Sequence, residues 1–141
     1  MPIQGLFGKT VELLSKEIDL RARNHNHIAA NIANVETPGY TPTRLSFEQE
    51  LQDAMSARPP HSSGVTHERH IPLKGKSRDL GAVRGIVVES PASVAGRDGN
   101  RVDIEKEMAA LAENQIMYNA SVQLLAKKFE GLKQAIKGSG N

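Results

Sequence analysis

Apolar residues recur along the first quarter of the chain in steps of three and four. They are Val11, Leu14, Ile18, Ala22, Ala29 and Ile32, with His25 standing in the stripe. That period belongs to an α-helix and predicts one from about Lys9 to Asn34. Leu6, Leu13 and Leu20, seven apart, widen the face to be buried. Thr37-Pro38-Gly39 should end it, because proline cannot continue the hydrogen-bond ladder and glycine accepts turn geometry.

The last third is more regular. Ile104, Met108, Leu111, Gln115, Tyr118, Val122, Leu125, Phe129, Leu132 and Ile136 alternate steps of four and three, and only Gln115 among them is neither apolar nor aromatic. Sustained over this length, such alternation is the pattern of a coiled-coil seam. Asp103 is placed to cap the helix, and Glu105 and Glu107 suit its positive end. Lys127, Lys128, Lys133 and Lys137 suit the negative end, and Gly138 stops it. At ~1.5 Å per residue the two helices would be about 40 and 50 Å long, too long for a compact small domain. A narrow apolar stripe on a long helix buries little until it meets another stripe. The two ends are therefore expected to pack on each other and on neighbouring subunits.

Residues 41–101 differ in character. A short helix is expected around Phe47 to Met55, followed by polar, breaker-rich runs at Arg58-Pro59-Pro60-His61-Ser62-Ser63-Gly64 and Lys74-Gly75-Lys76-Ser77-Arg78. Much of this stretch should be mobile in the isolated chain. Ile86-Val87-Val88 is the best strand candidate, and Asp98-Gly99-Asn100 signals a turn before the long helix. The reading is mainly α, with long N- and C-terminal helices pairing as a coiled coil. It gives an N-terminal helix and motif over 1–40, an irregular middle over 41–101 with at most a small β element, and a heptad helix over 102–141.

Composition supports an extended helical protein over a thick globule: 38% of residues are hydrophobic, 4% are aromatic and Trp is absent. A net charge of +2 is too small to draw in nucleic acid or an anionic membrane over long range. With no Cys there are no disulfides and no thiolate metal sites. The longest apolar run, Met108 to Ala112, is far short of the ~20 residues that cross a bilayer. The N-terminus has no basic region followed by an apolar stretch, so export, if it occurs, is expected to use no cleaved signal peptide.

Candidate chemistry is thin. His25 and His27 are two apart on a helix and point about 200° from each other, so they cannot chelate together. His61, His67 and His70 fall in a loop without an evident carboxylate partner. No serine sits in a nucleophile elbow, and Gly96-Arg97-Asp98-Gly99 is too short to cradle phosphate. Arg69, Lys74, Lys76, Arg78 and Arg84 have no aromatic residues between them to stack bases. No enzyme activity, cofactor, metal or nucleic acid is expected.

One segment does call for explanation. Asn24, Asn26, Asn31 and Asn34 are poor helix formers crowded into the second half of a helix. Solvent exposure would favour Lys, Glu or Gln. Amides both donate and accept, so the row fits packing in a crowded polar interface.

At these residues the chain resembles the axial proteins of the bacterial flagellum. Ala29-Ala30-Asn31-Ile32-Ala33-Asn34-Val35-Glu36-Thr37-Pro38-Gly39-Tyr40 is similar to the N-terminal motif of rod and hook subunits, although many relatives carry Ser where this chain has Ala30. Ile18 to Arg23 and the stretch from Asp98 to Tyr118 are also similar, and narrow the likeness to the rod. The resemblance implies a proximal rod subunit, exported by the flagellar type III apparatus and assembled in the periplasm-spanning rod near the inner membrane. Its implied partners are other copies of itself, other rod proteins and the base and export-gate components, without a membrane span of its own. Another axial rod subunit of similar length, or a soluble coiled-coil adaptor or export chaperone, is the alternative. The residues expected at assembly contacts are Asn31, Ile32, Asn34, Thr37, Pro38, Gly39 and Tyr40 in the motif, and Met108, Leu111, Tyr118, Val122, Leu125, Phe129 and Leu132 on the C-terminal helix.

Overall fold

A computed structural model describes residues 8–56, 80–90 and 99–138. Two long helices dominate it: α1 over Lys9–Ala33 and, at the C-terminal end, α3 over Ile104–Gly138. Between them lie strand β1 (Thr43–Ser46), helix α2 (Glu48–Ser56), a single 3-10 turn (Leu80–Ala82) and strand β2 (Ile86–Glu89). The helix boundaries match the periodicity at both ends, and none of these helices is long and apolar enough to cross a membrane.

The helix α1 ends as its sequence requires. Asn34 folds its amide back to donate to the Ala30 carbonyl at 2.8 Å and accepts from the Thr37 hydroxyl at 3.1 Å, closing the last turn. Gly39 follows with φ 71°, a left-handed conformation that a Cβ would strain. At the start of α3, the Asp103 carboxylate accepts from the Lys106 amide at 3.3 Å, as an N-cap should. These two termini meet. Asn100 donates its side-chain amide to the Val35 carbonyl, the Arg101 amide donates to the Tyr40 carbonyl at 3.4 Å, and the positive-φ Gly99 lies against Gly39. The helices therefore run antiparallel, with the C-terminal end of α1 beside the N-terminal end of α3.

The strands β1 and β2 form an antiparallel ribbon in which Thr43 pairs with Glu89 and Ser46 with Ile86. The β2 strand stands where Ile86-Val87-Val88 predicts it. The β1 strand arises in a segment read from sequence as irregular. Its four residues are too few to show alternation, and the signal that makes them a strand comes from side chains on α1.

The apolar core is not the seam between the long helices. Leu20, Leu45, Phe47, Leu51, Ala54, Leu80 and Val83 gather beneath the first half of α1, with the Arg21 guanidinium 5.4 Å from the Phe47 ring centre. Gly85, at φ 69°, closes this core, since a Cβ there would fall 2.9 Å from Leu45 Cγ. The proline-rich run, the expected mobility of 57–79, and His61, His67 and His70 lie outside the described residues.

Phe47→Ala should lower unfolding free energy by about 3–5 kcal/mol, because a fully buried ring leaves a cavity that four neighbouring elements hold open. Urea denaturation followed by circular dichroism measures it. A loss below about 1 kcal/mol would mean that the ring is not the centre of this core.

Candidate assembly interface

Four of the six buried residues of α1 are Leu14, Leu20, Ile28 and the pair-forming Arg21, and the other two are Asn24 and Asn31, seven apart. Both asparagines face β1. Asn24 Oδ1 accepts from the Leu45 amide at 3.0 Å, and Asn31 Oδ1 accepts from the Thr43 amide at 3.0 Å. Asn31 Nδ2 also donates to the Thr43 carbonyl at 2.8 Å. Side-chain amides thus stand where a third strand would, and seal the edge of β1 that β2 leaves open.

Asn31 is 0% exposed and uses its full hydrogen-bonding capacity. Its second N–H donates to Glu107 Oε2 at 2.9 Å, and its oxygen accepts again from the Tyr40 hydroxyl at 3.2 Å. Glu107, 3% exposed, receives in addition the guanidinium of Arg44, with Nη2 3.6 Å from Oε1. One amide joins α1, β1, the loop after α1 and α3.

Along α3 the contact with α1 follows a polar line. Glu107, Asn114 and Ser121, spaced by seven, are its buried residues, and Asn114 Nδ2 donates to the Arg21 carbonyl at 3.0 Å. In heptad terms, with Met108, Gln115, Val122, Phe129 and Ile136 at a and Leu111, Tyr118, Leu125 and Leu132 at d, these polar residues occupy g. These g positions are covered, and the d line is half-buried from Leu111 onward, with Ile104 exposed at its start. The a line turns away: Met108 is 59% and Val122 39% exposed, and Phe129 and Ile136 are exposed as well. Periodicity predicts one seam at a and d. The structure places α1 on g and d instead, because there Asn31 meets Glu107 and the Arg21 carbonyl meets Asn114.

Comparison with known proteins gives the same ends of the chain a name. The flagellar basal body rod protein FlgB of Bacillus subtilis is 35% identical over 133 residues, covering 94% of this chain and 97% of that protein. Its counterpart in Salmonella typhimurium is 30% identical over 125 residues, covering 86% and 88%. The FlgB of Escherichia coli is 30% identical over 128 residues, covering 88% and 89%. The chain belongs to the FlgB family. No family model matches it. These relatives match 86–94% of the chain and carry the FlgB name, so a second rod subunit such as FlgC is not favoured.

Within this FlgB-family fold the residues expected at assembly contacts separate into three groups. Asn31 makes all the contacts just described inside the chain, and half-buried Tyr40 joins it. Ile32 and Asn34 are half-buried at the end of α1, while Thr37, Pro38 and Gly39 are exposed on the loop. On α3, Leu111, Tyr118, Leu125 and Leu132 are half-buried and Met108, Val122 and Phe129 are exposed. Glu107, Asn114 and Ser121 escape an apolar reading because they are polar. Their seven-residue spacing alongside the apolar lines is the signal that could have found them.

Asn31→Asp keeps the side-chain shape, removes both donors and sets a second carboxylate beside buried Glu107. It should cost at least about 3 kcal/mol of stability, since each buried group left without a partner costs about 1–3 kcal/mol. Asn26→Asp, on the exposed side of the same helix, should cost under about 0.5 kcal/mol. Equal losses in thermal denaturation of the two variants would refute the junction's role.

Proposed function

We propose that this protein is a structural subunit of the flagellar basal-body rod that assembles through the outer heptad face of α3. The observation that carries this is the state of the a and d lines. A coiled-coil seam is complete only when both lines are covered, and here d is half-covered by α1 while a is open. The open line is rich in Met, Val, Phe and Ile, which favour burial against a second helix over water.

Membership of the FlgB family supports placing that assembly in the rod of the basal body. The resemblance extends the reading to the periplasm-spanning part of the rod near the inner membrane, reached through the flagellar export apparatus without a cleaved signal peptide. The partners are other copies of this chain, other rod proteins and the base on which the rod stands. The role is mechanical. Helices interlocked along a and d transmit torque as a stiff unit, and no residue is asked to perform chemistry.

Phe129→Glu and Val122→Glu should abolish rod assembly and motility, and Val122→Glu should leave the melting curve of the isolated chain within about 1 kcal/mol of wild type, because its side chain is exposed. Leu125→Glu should do the same with a larger cost to the isolated chain, since Leu125 is half-buried. Electron microscopy of basal bodies and motility in soft agar read the outcome. Motile cells with normal basal bodies would refute the proposal.

A further inference from the structure

We infer that in the unassembled chain the last turns of α3 lie on an anionic lipid surface, as an amphipathic helix in the plane of the membrane interface. This goes beyond assembly into the rod and does not rest on it.

The whole-chain charge of +2 hides a separation. Residues 122–138 carry four lysines, Lys127, Lys128, Lys133 and Lys137, against the single acid Glu130, a net of +3, so the rest of the chain sums to −1. This basic end is where α3 outruns α1. Asn114 meets the Arg21 carbonyl, and the twelve residues from Arg21 back to Lys9 match the twelve from Asn114 on to Ala126. The turns after Ala126 therefore extend past the described start of α1. All four lysines are exposed, and none has an ion pair among the described residues.

The side chains are sorted around the helix. At about 100° per residue, Val122, Leu125, Phe129, Leu132 and Ile136 fall within an arc of about 80°. Lys133 stands about 20° beyond one edge of the arc, with Lys137 next to it, and Lys128 about 40° beyond the other. Glu130 and Lys127 point well away from the arc, about 120° and 180° from its centre. Leu125 and Leu132 are half-buried, whereas Val122 is exposed and Ile136 is 69% exposed. Lysines on the flanks of an apolar arc send their ammonium groups to lipid phosphates while their methylene stems continue the apolar face.

Charge selects lipid over a second α3. In a parallel coiled coil the g residue of one helix faces the e residue five positions on in its partner. Here those residues are Lys128 and Lys133, so a second α3 in register would meet like charge on both sides of the seam. A sheet of lipid phosphates attracts Lys128, Lys133 and Lys137 together. Nucleic acid offers phosphates as well, but no apolar phase for Val122, Leu132 and Ile136. An anionic bilayer surface takes both the lysines and the arc.

The test is sedimentation of the full-length chain with vesicles. Vesicles of equal parts phosphatidylglycerol and phosphatidylcholine should carry it down, vesicles of phosphatidylcholine alone should not, and added salt should release it. Lys128→Gln with Lys133→Gln and Lys137→Gln should weaken binding about a hundredfold, and Ile136→Gln alone about tenfold. Removing charge elsewhere, with Arg84→Gln and Arg101→Gln together, should change it less than about twofold, because those side chains lie off the helix face. Every substituted side chain is exposed, and thermal melts followed by circular dichroism establish that each variant folds. Equal loss in the Arg84 and Arg101 variant would show that net charge alone acts. Wild-type binding by Ile136→Gln, or capture by a short DNA duplex as tight as by vesicles, would show that the lysines act without the apolar arc, and each of these results overturns the inference. A wild-type chain that ignores both kinds of vesicle overturns it as well, while normal rods built from that same chain leave the rod reading standing.

Discussion

The junction of Asn31 with Glu107 is the constraint on which the arrangement of the long helices depends. A carboxylate at 3% exposure and an amide at 0% exposure must both be satisfied, and their partners come from four separate segments. Sliding α3 by one turn along α1 would move Glu107 away from both Asn31 and Arg44 and leave it buried alone. Breaking a buried pair in that way costs far more than forming it contributes. The junction therefore acts chiefly by selecting one alignment. The bond from Asn114 to the Arg21 carbonyl repeats the selection near the middle of α3, and the bond from the Leu45 amide to Asn24 extends it to β1.

That selection determines what is left uncovered. Because α1 must lie on the polar g line, it reaches only the near edge of the apolar seam, and the a line faces outward. The chain is consequently fixed in alignment yet incomplete as a hydrophobic unit. Its own core is a compact cluster around Phe47 between α1, β1, α2 and the 3-10 turn, which stabilises the first half of α1 and includes no residue of α3. The far half of α3 has much less to hold it within the chain. Leu125 and Leu132 are its half-buried side chains, and most of its surface is exposed.

Much of this was legible in the sequence, and what was not has a common physical cause. Periodicity places α1 and the start of α3 to within a residue or two, since both are long and regular, and the Thr37-Pro38-Gly39 stop and the Asp103 cap are local signals that context did not override. The strand at Ile86-Val87-Val88 has β-branched residues to mark it. The strand β1 has no such marker, since Thr43-Arg44-Leu45-Ser46 is extended only because Asn24 and Asn31 bind its edge from another element. The line of α3 on which α1 settles has the same cause. Apolar periodicity reports where a helix could be buried, but α1 and α3 meet through polar groups whose partners are 76 and 93 residues away in the chain. The asparagine row was recognisable as unusual, and amide packing was the right chemistry. Its targets, the backbone of β1 and Glu107, could not be read from spacing along α1.

Polar contact within the chain and apolar contact left outside it are two halves of one requirement. A subunit that assembles through helices identical to its own faces a choice between pairing α3 with its own α1 or with a neighbour's. If both seams were apolar, neither contact would distinguish the two, because hydrophobic burial is non-directional. Hydrogen bonds are directional, and a buried amide or carboxylate penalises every arrangement but one. Placing Asn31, Asn114 and Glu107 at the internal contact therefore reserves that surface for the chain's own helix. The a line is left to the non-directional force, which tolerates the small differences in packing that successive positions in an extended assembly impose. Specificity is set before assembly, and the larger apolar burial follows from it.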